Sequence, residues 1–227
     1  MERKKDGERN IPTSVKTEII VISHTGRMHQ LLFPSLEWRI NSQSIFLTFD
    51  DGPHPTATPD VLRVLKTQRV KATFFLSGAA AARFPSLVRA IATDGHSIGI
   101  HAYTHSRRIA FSKKETIREI LQAEEQITKS APNAMRLFRP PFGFFSWNTI
   151  SAARMLNYRL IMWSTLCGDF RSNWTDEKVV ATALKKLSGG TILVFHDNEI
   201  TKARIEAVLT KSIEKVRDRG FTFDSIS

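Results

Sequence analysis

From Ser44 onward the chain repeats one pattern: a short apolar run, a polar or reactive residue at its end, then a stretch of helical period. This alternation restricts the fold more than any other feature. Residues 44–50 (SIFLTFD), 71–76 (KATFFL), 97–101, 136–139, 158–164 and 191–196 (TILVFH) read as strands, and 221–224 closes the chain. Between them, 58–68, 79–93, 113–129, 147–156, 175–187 and 203–219 carry helical spacing. Thr58-Pro59-Asp60 reads as a cap followed by proline at the first helical position, Thr175 reads as a second cap, and Pro85 breaks the second helix. Ile117, Ile120, Leu121 and Ile127 form the apolar face of the helix over 113–129. The strands are continuous apolar runs rather than alternating ones, so both of their faces are buried, as in a parallel sheet with helical crossovers. No G-x-G-x-x-G follows any strand, so a dinucleotide-binding sheet has no support. The expectation is an α/β fold, an irregular (β/α)7-type barrel, with one catalytic domain over 44–227. Residues 1–43 are a tail and cover segment: 1–16 loose, 19–22 a short strand, and Leu31, Leu32, Phe33 and Pro34 packing with Trp38 against the domain.

Composition narrows the class. A hydrophobic fraction of 41% sustains a core and excludes a disordered chain. No apolar run reaches the length of a membrane span. The single cysteine, Cys167, leaves the fold without an internal disulfide. Lys and Arg number 33 against 22 Asp and Glu, a net charge of +11. The positive charge is spread along the chain and no nucleic-acid motif accompanies it, so it reads as a basic surface. The charged start, with no apolar segment behind it, gives no signal peptide, and the chain reads as cytoplasmic and monomeric.

The reactive residues fall at one end of the strands. Asp50-Asp51, His101, Arg139, Asp169 and His196-Asp197 lie at or just past predicted C-terminal strand ends, the face on which barrels build active sites. Adjacent carboxylates repel unless they share a cation or proton, and Gly52-Pro53 turns the chain sharply behind them. A capping turn is the bland alternative. His101 and His105 are four residues apart, which on a helical turn places both imidazoles on one side; with Asp51 they make a two-histidine, one-carboxylate set suited to zinc with an open position. Arg139, followed by two prolines, is placed to hold Asp50 in a bidentate pair, and the stiff turn aims the Phe142 N–H at a developing oxyanion. His196 is a candidate general acid with Asp169 beside it. His54 and His96 read as structural, and His24 and His29 lack partners at ligand spacing.

Together these clusters resemble the polysaccharide deacetylase family, carbohydrate esterase family four, whose members include chitooligosaccharide and peptidoglycan deacetylases. The resemblance runs from about Ser44 to the C-terminus. It rests on Thr48-Phe49-Asp50-Asp51-Gly52-Pro53, His101-Ala102-Tyr103-Thr104-His105, Arg139-Pro140-Pro141-Phe142-Gly143, Gly168-Asp169-Phe170 and Phe195-His196-Asp197, in the family's order, with Lys71-Ala72-Thr73-Phe74-Phe75 between. It implies that Asp50 is the base, that Asp51, His101 and His105 bind a divalent metal (zinc, or cobalt, nickel or manganese), that Arg139 orients Asp50, and that Asp169 supports His196 as acid. The implied substrate is an acetylated amino-sugar polymer or oligomer, cleaved at its N-acetyl groups. Alternatives are an O-acetyl carbohydrate esterase and a catalytically silent carbohydrate-binding domain. The sequence departs from the family at Ala102, which lacks the usual hydroxyl and so implies a looser metal loop. It departs also at Ile100, at Phe142, which matters little if only its N–H is used, and at Leu166 and Phe170, which imply an altered groove wall.

Overall fold

The computed structural model describes residues 24–25 and 27–227; the loose tail expected over 1–16 and the strand expected over 19–22 lie outside the described residues. The elements run α1 (Arg27–Leu32), β1 (Leu36–Glu37), β2 (Ile45–Asp50), α2 (Ala57–Gln68), β3 (Thr73–Leu76), α3 (Gly78–Arg83), α4 (Pro85–Thr93), β4 (Ser97–Ile100) and α5 (Lys113–Thr128). They continue β5 (Leu137–Phe138), α6 (Trp147–Met155), β6 (Arg159–Ile161), β7 (Thr165–Leu166), α7 (Asp176–Leu184), β8 (Ile192–His196), α8 (Ile205–Asp218) and β9 (Phe223–Asp224).

The strands form one sheet in the order β1-β6-β5-β4-β3-β2-β8-β7, with β9 added on β2, and every pairing is parallel. The sheet curls into a half-barrel of the expected (β/α)7 type. All six residues of β2 are buried, as the unalternating SIFLTFD run requires of a strand covered on both faces. Phe49 stacks between Phe74 and Phe195, with ring centroids 4.9 Å and 6.2 Å away. Each such ring contributes roughly 1.5–3 kcal/mol through burial. The register sets Asp50 beside His196 on one side and Phe75 on the other, and Ile100 beside Phe138. The polar strand ends therefore emerge together at one rim. Among the described residues no helix is long and apolar enough to cross a membrane.

The structure changes several local readings. The cover is not a separate layer: β1 pairs with β6 as an edge strand of the same sheet, and Leu36 and Trp38 join the core, whereas Leu31 and Leu32 are exposed. Thr58 is not a cap, because α2 begins at Ala57; its hydroxyl instead donates to Asp197 Oδ2 at 2.5 Å and accepts from the His54 N–H at 2.7 Å. The apolar run 158–164 divides, since β6 ends at Ile161 and a second strand, β7, follows at Thr165. On α5, Leu121 is exposed and the buried face is Thr116, Glu119, Ile120, Ala123 and Ile127. Thr175 does cap α7, its hydroxyl accepting from Lys178 N, and the helix break falls at Pro85.

Candidate active site

Three groups converge at the rim. The first comprises Asp51, His101 and His105, whose ligand atoms all lie within 4.8 Å of one another. Asp51 Oδ1 is 2.9 Å from His105 Nε2 and 3.5 Å from His101 Nε2. That oxygen is buried yet has no well-formed hydrogen bond, while Oδ2 accepts from the Asn198 side-chain amide at 2.7 Å. His101 Nδ1 faces the Arg139 carbonyl at 2.7 Å, so it carries the proton and leaves Nε2 with a lone pair toward Asp51. Burial pushes the His101 imidazole down to about 4, which keeps it in the neutral form a metal requires. Burial alone would raise Asp51, but His105, His196 and His101 around it hold its carboxyl far below the usual range. An orphaned buried carboxylate oxygen facing two imidazole nitrogens fits a divalent cation by its donor chemistry.

The histidines do not share a helical turn, contrary to the spacing argument. Residues 101–106 form a loop in which Ala102 and His105 have positive φ, 62° and 51°. The loop takes that shape because Glu119 lies buried beneath it. The Glu119 carboxylate accepts from Tyr103 N at 3.0 Å and Thr104 N at 2.7 Å, and from the Thr104 hydroxyl at 3.0 Å. From the other side, Gly78 N and Ala79 N at the start of α3 donate to the Ala102 and Tyr103 carbonyls. The loop that lacks a hydroxyl at Ala102 is thus fastened by a buried carboxylate. Sequence reasoning missed Glu119, although a lone acid on the buried face of α5 was a signal for it.

The second group is Asp50 with Arg139. Arg139 is fully buried and donates through Nη1 to Asp50 Oδ1 at 2.7 Å. The pair is single rather than the bidentate one expected. The guanidinium also donates to Thr48 Oγ1, the Ile161 carbonyl and the Met162 carbonyl, and its Cζ lies 4.1 Å from the Phe75 ring centroid.

The third is His196 with Asp169. Asp169 Oδ2 accepts from the His196 backbone N–H at 2.7 Å, and Oδ1 lies 2.8 Å from Nδ1. Burial alone would lower the imidazole, but Asp169, with Asp51 and Asp50 further off, pushes it up to about 10. Asp197, placed at the strand end by the sequence but given no role there, is buried under the turn after Asp51. A Cβ on Gly52 would come within 2.3 Å of Asp197 Oδ2, so only glycine allows this approach. Burial, with Asp51 and Asp50 nearby, pushes the Asp197 carboxyl up to about 8.

Phe142 is half exposed, in the left-handed region at φ 58°, with its ring 4.4 Å from that of His105. As the second residue of a one-turn helix, its N–H has no partner within the turn. Leu166 fills core rather than facing the rim, and Phe170 meets the His196 ring edge-on. His54 caps α2 by accepting from Ala57 N, and His96 accepts from Ala72 N; both stay outside the site, as expected.

A parallel half-barrel thus carries on one rim a carboxylate–histidine corner that could hold a metal ion, a buried carboxylate–arginine pair and a carboxylate–histidine pair. The comparisons with known proteins specify it further. A sequence model of the family described as Polysaccharide deacetylase matches residues 39–161. A chitooligosaccharide deacetylase of Sinorhizobium fredii is 32% identical over 194 residues, 81% of this chain and 90% of that one. A peptidoglycan-N-acetylglucosamine deacetylase of Bacillus cereus is 30% identical over 195 residues, 84% of this chain and 90% of that one. A crystal structure of a peptidoglycan N-acetylglucosamine deacetylase bound to a naphthalenyl N-oxidanyl-benzamide superposes with a TM-score of 0.78 at 30% identity, covering 84% of this chain and 89% of that one. The chain belongs to the polysaccharide deacetylase family, and it is a hydrolase of carbon–nitrogen bonds other than peptide bonds.

Proposed function

We propose that the protein removes N-acetyl groups from N-acetylglucosamine-containing poly- or oligosaccharides, with Asp51, His101 and His105 as metal ligands, Asp50 as base and His196 as acid. The observation that carries this reading is the placement of Asp50 and His196 side by side in adjacent strands, next to the Asp51, His101 and His105 corner. A divalent ion held by that corner, zinc or a similar metal, supplies Lewis-acid polarisation and a nucleophilic water at neutral pH. Asp50 accepts the proton of the attacking water, its Oδ1 fixed in direction by Arg139. The Phe142 N–H, without a partner inside its own turn, would donate to the developing oxyanion, an interaction worth about 3 kcal/mol in comparable sites. His196, whose imidazolium Asp169 favours and whose ring Asp169 turns so that Nε2 is free to donate, gives its proton to the departing amine. An amide needs that proton because an amide anion leaves poorly.

The test is acetate release from N-acetylglucosamine oligomers by purified protein, with chelator and then with zinc or cobalt restored. Release lost with chelator and regained with metal supports the reading. Metal-loaded, folded protein that releases nothing overturns it.

A further inference from the structure

Every exposed large aromatic side chain among the described residues lies on one flank of the site. Trp147 is 76% and Phe111 71% exposed, and Phe142 and Phe144 are about half exposed. The other exposed large apolar side chains are aliphatic or methionine, on α1, α5, the end of α6 and the turn after β8. Two segments bring the four rings together: a short helical turn, Arg107–Phe111, and the residues that lead into α6. The Phe111 ring centroid is 5.7 Å from that of Phe144. The Asn148 side-chain amide donates to the Phe111 carbonyl at 3.1 Å, and the Ser146 hydroxyl donates to the Ala110 carbonyl. Trp147, between those two donors in the chain, therefore stands beside Phe111. Phe142 joins this flank to the metal-ligating corner, its ring 4.4 Å from that of His105.

Cations border the rings on one side. Arg107, Arg108, Lys113 and Lys114 lie within four residues of Phe111, and neither 101–114 nor 140–153 contains an Asp or Glu. Arg107 Cζ is 4.4 Å from the Phe142 centroid. Elsewhere basic residues are interleaved with acids, as on α8 with Glu206, Lys211, Glu214, Lys215, Arg217 and Asp218. Lys113 and Lys114 open α5, at the end of the helix dipole that disfavours cations. Exposed rings and cations in that position both work against folding, so a binding partner is the better reason for them. Single exposed apolar residues are ordinary, whereas a contiguous patch rimmed by charge marks a docking face. A neutral sugar chain would use the rings and leave the cations unmatched. The segment 140–153 has no charge at all, so the flank is apolar on one side and basic on the other. That division suits a bilayer interface, where rings enter the headgroup boundary and cations meet lipid phosphates. We infer that this flank docks the protein on an anionic phospholipid bilayer, through Phe111 and Trp147 with Arg108, Lys113 and Lys114. Docked so, the rim lies within reach of sugars carried at the membrane surface.

The experiment is sedimentation of the metal-loaded full chain with vesicles of phosphatidylcholine, and with vesicles of equal parts phosphatidylcholine and phosphatidylglycerol. Binding to the anionic vesicles is expected to be about tenfold or more the stronger, and to weaken as salt rises. Lipids brominated on their acyl chains are expected to quench tryptophan emission, and Trp147→Phe to remove that quenching, because the other tryptophans are buried or half-buried. The double variant Phe111→Ser, Trp147→Ser is expected to lower anionic binding about tenfold. The double variant Arg108→Gln, Lys114→Gln is expected to lower it about 25-fold, at about fivefold per cation. All four side chains are exposed, so both variants are expected to keep their circular dichroism and their kcat/KM on soluble N-acetylglucosamine oligomers. Equal binding to the two vesicles overturns the proposal. Anionic binding that survives the aromatic variant also overturns it, and leaves only the general attraction of a net charge of +11. An aromatic variant with a raised KM for soluble oligomers and intact vesicle binding overturns it in favour of a sugar platform. A single-stranded oligonucleotide that binds more tightly than the anionic vesicles, and is lost in both variants, overturns it in favour of nucleic acid. Vesicle binding needs no turnover, so its failure leaves the deacetylase reading standing, and a protein that releases no acetate can still dock.

Discussion

On one side of the site, Asp51, His101 and His105 come from a strand end and an irregular loop, and the oxygen at their centre has no well-formed hydrogen bond. On the other, Asp50 and His196 come from adjacent strands, and each is paired inside the protein, with Arg139 and Asp169. The first side is a set of donors missing a partner; the second is two completed ion pairs. Buried polar groups left incomplete are costly, so an incomplete set persists where a ligand completes it. The completed pairs hold direction and charge with no ligand present. In the proposed mechanism, metal binding and proton transfer fall to these differently built halves, and variants should separate them.

The largest expected effect is on the completed side. Asp50→Asn should lower kcat by about 10²–10⁴-fold while the urea midpoint moves little, because the asparagine oxygen can still accept from Arg139. A variant that turns over normally would remove Asp50 from its role. On the incomplete side, adding zinc to chelated protein should raise stability by about 2.7 kcal/mol at a hundredfold excess over Kd, read as a melting shift. Asp51→Asn should abolish that shift, and a shift of equal size in the variant would place the ion elsewhere. Glu119→Ala should weaken metal affinity about 10–100-fold without touching a ligand, because Tyr103 N and Thr104 N lose their acceptor. Zinc titration by calorimetry measures this, and unchanged affinity would mean that the loop holds its shape without Glu119.

The last prediction concerns pH dependence in metal-free protein. Asp197 is raised from 3.8 to about 8 and His196 from 6.5 to about 10. In both windows the folded state binds more protons than the unfolded chain, so stability falls as pH rises through them. His196's contribution is complete below about 6.5 and is lost through about 10. Urea midpoints in chelator should therefore decline from pH 6 to 9.5, and Asp197→Asn should flatten the part below about 8. The same slope in the variant would show that Asp197 is not proton-linked to folding.

Much of this was legible in order along the chain. The unalternating run 45–50 implied a strand buried on both faces, and reactive residues at successive strand ends implied one active rim. Both follow from the two-residue period of strands and the direction of parallel crossovers. The loop after His101 was not legible. Four-residue spacing suits a helical turn as well as it suits a loop, and Glu119, which decides between them, lies 15 residues beyond Thr104. The Asp50–Arg139 pair was readable as a pairing of charges but not as a single contact, since that depends on Thr48 and two carbonyls taking other donors. Asn198 carried no periodic signal at all, and Asp197 was legible only as a strand-end acid, without its partners.

What the sequence determined by itself was the strand–helix order, the parallel sheet and the identity of the reactive groups, because local periodicity and residue chemistry act over a few residues. Only the tertiary structure decided which donors are satisfied and which are left open. That depends on neighbours tens to more than a hundred positions apart, such as Arg139 with Asp50 and Asn198 with Asp51, brought together by the curl of the sheet.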